Sequence, residues 1–171
     1  MSMSPDVARM KRELADLVAI DTQNPPGREA PAAQFLRGLL MTEGFEVTLQ
    51  EYKLERINVV ARLENGAGPV FAFNTHMDVV PVGEGWSSDP FVLKETDGRL
   101  YGRGACDCKG PLAAMLEAMR MLAVERAARR ARAGAIARRA LVIAVAVASE
   151  GRDDEPAAGQ PQAGAARARQ D

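Results

Sequence analysis

The sequence predicts an α/β fold, a three-layer α/β/α sandwich built on a mostly parallel or mixed sheet that is incomplete at one side. Three observations lead there. Apolar residues recur at helical spacing in three separate segments, and the period drops to two between the second and the third. Two further runs, 69–75 (PVFAFNT) and 140–148 (ALVIAVAVA), are almost wholly apolar, the pattern of strands covered on both faces.

Ser4 and Pro5 read as the cap and first-turn residue of a helix whose buried face is Val7, Met10, Leu14, Leu17 and Val18. The NPPG of residues 24–27 is a turn by composition, and Ala32, Phe35, Leu36, Leu39 and Leu40 then form a second stripe that Gly44 ends. Phe45, Val47 and Leu49 alternate with polar residues, as do Val59, Ala61 and Leu63, which predicts two half-buried strands. The run 69–75 follows and delivers His76 at its carboxyl end. Residues 81–104 are rich in Gly, Pro, Ser and Asp and read as a long functional loop with short strands near 91–93 and 99–101. Beyond a glycine turn at 104–110, Leu112, Met115, Leu116, Met119 and Leu122 make the third stripe, running on through an Arg/Ala segment. The run 140–148 then delivers Ser149 and Glu150. Residues 152–171 contain no Val, Ile, Leu, Met or aromatic side chain. That segment has too little apolar surface to offset the entropy of ordering it, so it reads as a disordered low-complexity tail behind a domain of residues 1–151.

Charge and composition exclude several partners. The net charge is -1, and the Arg-dense stretch 126–139 sits in a chain that is acidic overall, so it reads as a solvated helix face and no nucleic-acid partner is expected. No apolar run approaches the roughly 18 residues of a membrane span, and the N-terminus has no signal-like apolar core. Cys106 and Cys108 are too close in sequence for an unstrained disulfide, so a reduced, cytoplasmic setting is the expectation.

Three constellations carry chemistry. His76 and Asp78, in NTHMDVV, stand where a buried strand gives way to a loop, the end at which α/β sheets bind ligands. A neutral imidazole is a good zinc ligand, and a nearby carboxylate can hold its other nitrogen in the right tautomer. From the His-x-Asp pattern alone, a satisfied half-buried histidine is the commoner reading. Asp107 lies in GRGACDCKG, between glycines that let the backbone present its carboxylate into a cleft, where two oxygens can bridge two metal ions. A plain glycine-rich turn is an equally common reading of that segment. Its cysteines read as small, partly buried side chains, because neighbours on both sides of one residue rarely converge on one ion. Glu150, ending an apolar strand, is placed as a general base would be, or simply begins the polar tail.

The segments DTQNPPG, NTHMDVVPVGEGWSSDPF and GRLYGRGACDCKGPLAAM stand in one order and spacing. In them the chain resembles the N-terminal part of the catalytic domain of the zinc-dependent metallopeptidases and deacylases. That family includes acetylornithine deacetylase, succinyl-diaminopimelate desuccinylase, aminoacylase and glutamate carboxypeptidase. The resemblance implies a hydrolase cleaving the amide bond of an N-acyl amino acid or small peptide. It implies a cofactor of two zinc ions, with cobalt as a substitute and no cofactor besides the metal. By it His76 would bind one zinc, Asp107 would bridge both, Asp78 would orient His76, and Glu150 would be the general base.

The sequence departs from the family at Gly151, where a zinc-binding Glu is expected, and no histidine follows His76. By the same resemblance, the lid domain and with it the family's dimer interface are expected to be missing here. A weakly active or inactive form is therefore the expectation, and a lost reading frame near Glu150 is the simplest account, which the nucleotide sequence decides. The alternative is a non-catalytic fragment that pairs with another subunit through an open sheet edge.

Overall fold

The computed structural model describes residues 4–64 and 70–133, the last five of these by backbone only. Three helices and two small antiparallel sheets make up an α/β structure. Helix α1 spans Val7–Ala19 and buries Leu14, Leu17 and Val18, the inner part of the expected stripe. Its cap is Asp6 rather than Ser4. The Asp6 carboxylate accepts from the Arg9 backbone N–H at 2.9 Å, satisfying one of the donors a helix start leaves open, and Pro5 lies outside the helix.

Helix α2, Ala30–Thr42, buries Ala32, Ala33, Leu36 and Leu40 and ends where expected, with Gly44 just beyond it. Strands β1 (Glu46–Lys53) and β2 (Arg56–Arg62) pair antiparallel as a hairpin, Val47 opposite Ala61 and Leu49 opposite Val59. Strand β3 is Lys94–Thr96, three residues later than expected, and pairs with β4, Arg99–Tyr101. The shift follows from the connection: Thr96 pairs with Arg99, and Asp97 and Gly98 both adopt positive φ, 51° and 71°. Two residues in that conformation make the tight turn whose twist matches a hairpin, and Asp-Gly is a favoured sequence for it. Helix α3 runs Lys109–Ala133, through the Arg/Ala segment as expected.

The larger of two apolar clusters joins the three helices to β2. Leu17 of α1, Leu36 and Leu40 of α2, Val59 and Ala61 of β2, and Leu112, Leu116 and Met119 of α3 pack with Met77 in one buried cluster. A buried charged layer lies beside it. Arg120 donates to both carboxylate oxygens of Glu13 and to Glu43, while Arg9 grips Glu117 through Nε and Nη2, all at 2.9 Å or less. These bonds tie α1, α2 and α3 together. Each buried charge has a charged partner, the condition under which such groups are tolerated in an interior.

Of the expected sandwich on a mostly parallel or mixed sheet, the described residues show an α/β part. Both ladders are antiparallel, and the one parallel pairing is an isolated bridge between Gln23 and Val79. The run before His76 forms no ladder with any described strand, and Val70 and Phe71 are 63% and 54% exposed. The second apolar run at 140–148, Glu150, Gly151 and the segment 152–171 lie outside the described residues. Among the described residues no helix is long and apolar enough to cross a membrane.

Candidate functional site

Local backbone bonding sets out the site. The segment after α1 runs beside the segment carrying His76: Val79 N–H donates to Thr22 O at 3.0 Å, and Asn24 N–H donates to Val79 O at 2.8 Å. The Thr22 hydroxyl donates to Met77 O at 2.7 Å. Met77, Asp78 and Val79 are buried, so His76 projects from a fixed edge. The DTQN sequence near the start of the chain thus runs beside the histidine segment, joined to it by the isolated bridge between Gln23 and Val79.

Asp107 is presented by the turn before α3. Lys109 N–H donates to Gly104 O at 2.8 Å, and Leu112 N–H to Cys108 O at 3.0 Å, so the helix begins directly behind the aspartate. The Lys109 ammonium is fully buried and donates to Ile20 O at 2.7 Å, anchoring the turn to the end of α1. Burial pushes that ammonium down to about 8, with the carboxylate of Asp21 acting the other way.

The two turns bring His76 and Asp107 together across 31 positions, Nε2 lying 3.1 Å from Asp107 Oδ1. On its other side Nδ1 lies 3.0 Å from the Asp78 backbone oxygen and 3.2 Å from Asp78 Oδ1. Asp78 is buried, and its Oδ2 accepts from Asn24 Nδ2 at 3.0 Å. Two oxygens at Nδ1 favour the tautomer with the proton there. In that tautomer Nε2 and Asp107 Oδ1 are both acceptors facing one another, an arrangement that a cation between them satisfies. The spacing suits it: donors about 2.0 Å from a tetrahedral zinc lie about 3.3 Å apart. Cys108 Sγ completes a group with His76 and Asp107 whose ligand atoms all lie within 4.8 Å of one another.

His76 and Asp107 border a cavity of about 390 Å³, with Asn24, Asp78, Arg103 and Cys106 also in its wall. Arg103 stabilises the loop over it. Its guanidinium donates to Pro81 O and Val82 O at 3.1 and 2.9 Å and lies 5.2 Å from the centre of the Trp86 ring. The Trp86 indole N–H also donates to Val82 O, at 2.7 Å, and Gln23 Oε1 accepts from the Val82 N–H at 2.8 Å. The long loop of residues 81–104 is therefore pinned at both ends.

The structure brings His76, Asp78 and Asp107 together, while Glu150 lies outside the described residues. Asn24, Arg103 and Lys109 were not singled out, and Cys108 was set aside as packing. Asn24 was legible only as part of a turn, since nothing in NPPG shows what its amide will face.

Comparison with known proteins gives a consistent picture. Residues 72–136 match Peptidase family M20/M25/M40. The chain is 39% identical over 109 residues to the succinyl-diaminopimelate desuccinylase of Rhodospirillum rubrum, covering 62% of this chain and 27% of that protein. It is 40% identical over 118 residues to that of Pseudoalteromonas atlantica, covering 68% and 30%. Among solved structures it is similar to human carnosine dipeptidase 1, with TM-score 0.60 and 28% identity over 82% of this chain and 32% of that one. The fold also matches an M20 family metallo-carboxypeptidase from Sulfolobus solfataricus, with TM-score 0.62 and 21% identity over 81% and 30% of the two chains. The chain spans roughly a quarter to three-tenths of the length of the curated relatives it matches. The match covers both segments that form the site, and over residues 72–136 the chain is similar to peptidase family M20/M25/M40.

Proposed function

We propose that the chain carries part of the metal centre of a hydrolase that cleaves the amide bond of an N-acyl amino acid or small peptide. The observation that supports this most directly is the pair of facing acceptors, His76 Nε2 and Asp107 Oδ1 at 3.1 Å, with Nδ1 engaged by Asp78. His76 and Asp107 would hold the ion, Asp78 would fix the imidazole, and Glu150 would serve as general base. Zinc suits nitrogen and carboxylate donors, with cobalt as a substitute. When bound, it supplies Lewis acidity toward an amide carbonyl and acidifies water for attack. Asp78 keeps the Nδ1 proton in place, which leaves Nε2 free as a donor to the ion. Succinylated amino acids and dipeptides are the substrates to try first, because the similar proteins are named for acting on them.

Gly151 offers no side chain where a second carboxylate would follow Glu150, so turnover is expected to be slow. The test is zinc uptake by equilibrium dialysis together with amide hydrolysis of N-succinyl amino acids and dipeptides, with and without added zinc or cobalt. Metal binding and any metal-dependent turnover should both vanish in His76→Ala. A chain that takes up no zinc, or a His76→Ala variant that hydrolyses as well as the parent, overturns the proposal.

A second reading rests on Val70 and Phe71, exposed side by side in an extended apolar segment. Such a segment suits edge pairing with another subunit. Light scattering over a dilution series checks it: a monomer at all concentrations counts against self-pairing.

A further inference from the structure

We propose that Cys108 is a third protein ligand of the metal held by His76 and Asp107, making a mixed nitrogen, oxygen and sulfur centre. The inference rests on the metal reading above and goes beyond it by assigning a thiolate.

The placement of the sulfur is the first observation. Cys108 Sγ, a ring nitrogen of His76 and a carboxylate oxygen of Asp107 lie within 4.8 Å of one another. Nitrogen, carboxylate and thiolate are the three donor types zinc takes, with zinc–sulfur bonds of about 2.3 Å and zinc–nitrogen bonds of about 2.0 Å. Three protein donors and one open position is the arrangement of a catalytic rather than a closed structural zinc site. His76 and Asp107 alone supply two donors.

The second observation is what faces the sulfur. The Thr75 hydroxyl donates to Cys108 Sγ at 3.0 Å, so the sulfur stands as an acceptor. A donor of this kind steadies a thiolate and orients it toward an ion, as outer partners do for other metal ligands. Thr75 is buried and adjoins His76, so one short segment supplies a ligand and the partner of another ligand.

The third is the contrast with Cys106. Cys106 is exposed and is not in the group, whereas Cys108 is half-buried against Thr75. The sequence places both beside Asp107; Cys106 stands in the cavity wall, whereas Cys108 meets the Thr75 hydroxyl. Ligation balances simply: the thiol S–H gives its proton to solvent, and the sulfur lone pair forms the bond to the divalent ion.

Cobalt titration of the full chain, followed by absorption, tests this. Expected are visible cobalt bands together with a near-ultraviolet sulfur-to-cobalt charge-transfer band. The charge-transfer band should disappear in Cys108→Ser and persist in Cys106→Ser. Cobalt affinity should fall at least about tenfold in Cys108→Ser, the lower end of what losing even an outer partner costs a site. In the unaltered chain, zinc should slow alkylation of Cys108 while leaving Cys106 reactive, a readout that does not depend on a variant folding. Visible cobalt bands without a charge-transfer band, or a charge-transfer band that follows Cys106, would remove Cys108 and leave the His76–Asp107 site standing. Absence of cobalt uptake would overturn both readings.

Discussion

Asn24 Nδ2 donates to Asp78 Oδ2 at 3.0 Å across 54 positions of sequence, and Asp78 in turn meets His76 Nδ1. Asn24 Oδ1 faces Arg56 Nη1 at 3.5 Å, so the amide sits between a buried cation and the carboxylate beside the histidine. Its orientation follows from that: the NH₂ group points to the carboxylate and the oxygen to the guanidinium. Asn24→Ala should lower zinc affinity by about tenfold, in the range measured for outer partners of metal ligands, while leaving the urea midpoint close to the parent's. Unchanged zinc affinity in competition with a chromophoric chelator would show that Asp78 holds its position without the amide.

Gly110 lies in the first turn of α3, where replacing glycine by alanine ordinarily stabilises a helix by up to about 1 kcal/mol. Here the sign should reverse. A Cβ at this position would run into the Ala105 backbone oxygen, a contact that no side-chain rotation relieves. Gly110→Ala should therefore lose on the order of 1–3 kcal/mol, the usual range for overpacking. Because residue 105 belongs to the turn that presents Asp107, metal affinity should fall with stability. A rise in the urea midpoint would contradict the close approach.

How much of this the sequence disclosed differs by element. The helices were legible because a stripe such as Leu112, Leu116 and Met119 needs only local periodicity to be read. The start of α1 was misread by two residues because Ser-Pro and Asp are both good helix openers, and the Arg9 N–H that decides between them is seen only in the structure. The β3–β4 turn was legible in Asp97-Gly98, although the flanking apolar residues drew attention to an earlier segment. His76, Asp78 and Asp107 stand out in the sequence by residue type beside an apolar run and a glycine-rich turn, and their side chains meet in the structure. The contacts of Asn24 with Asp78 and of Thr75 with Cys108 were not, since each joins residues far apart in the chain whose side-chain directions depend on packing.

The buried charges predict an acid response. Burial alone would raise the Glu117 carboxyl, but the Asp6 backbone N–H and the Arg9 guanidinium outweigh it and hold it below its ordinary 4.5. In the unfolded chain this carboxyl takes up its proton near 4.5, before the folded chain does. Over that window the unfolded state binds more protons, so stability contributed by Glu117 is present above 4.5 and is lost as pH falls through the lower folded value. Glu29 acts with the opposite sign, since burial raises its carboxyl. Comparing the parent with Glu117→Gln separates the two. The variant should lose about 1–3 kcal/mol near neutral pH, the cost of weakening a buried charged hydrogen bond. The gap between variant and parent should narrow as pH falls below 4.5. A gap that stays constant down the acid limb would mean that the Glu117 bonds do not depend on its charge.

Glu29 and Arg56 form the most enclosed ion pair described, at 2.9 Å with 0% and 2% of their side chains exposed. Arg56 also lies under the Tyr52 ring, 5.7 Å from its centre, and faces Asn24. Removing one partner of such a pair leaves the other buried without its countercharge, which typically costs about 3–5 kcal/mol, whereas removing both is often close to neutral. Arg56→Met should fall in that range, and adding Glu29→Gln should recover part of the loss, giving a favourable coupling in a double-mutant cycle. Zinc affinity should separate structural support from site support. Arg56→Met should weaken binding less than Asn24→Ala, because Asn24 donates directly to Asp78 at 3.0 Å while the guanidinium faces Asn24 at 3.5 Å. If Arg56→Met weakens zinc more than Asn24→Ala does at equal folded fraction, the guanidinium reaches Asp78 by a route other than Asn24, and the order of this relay is wrong.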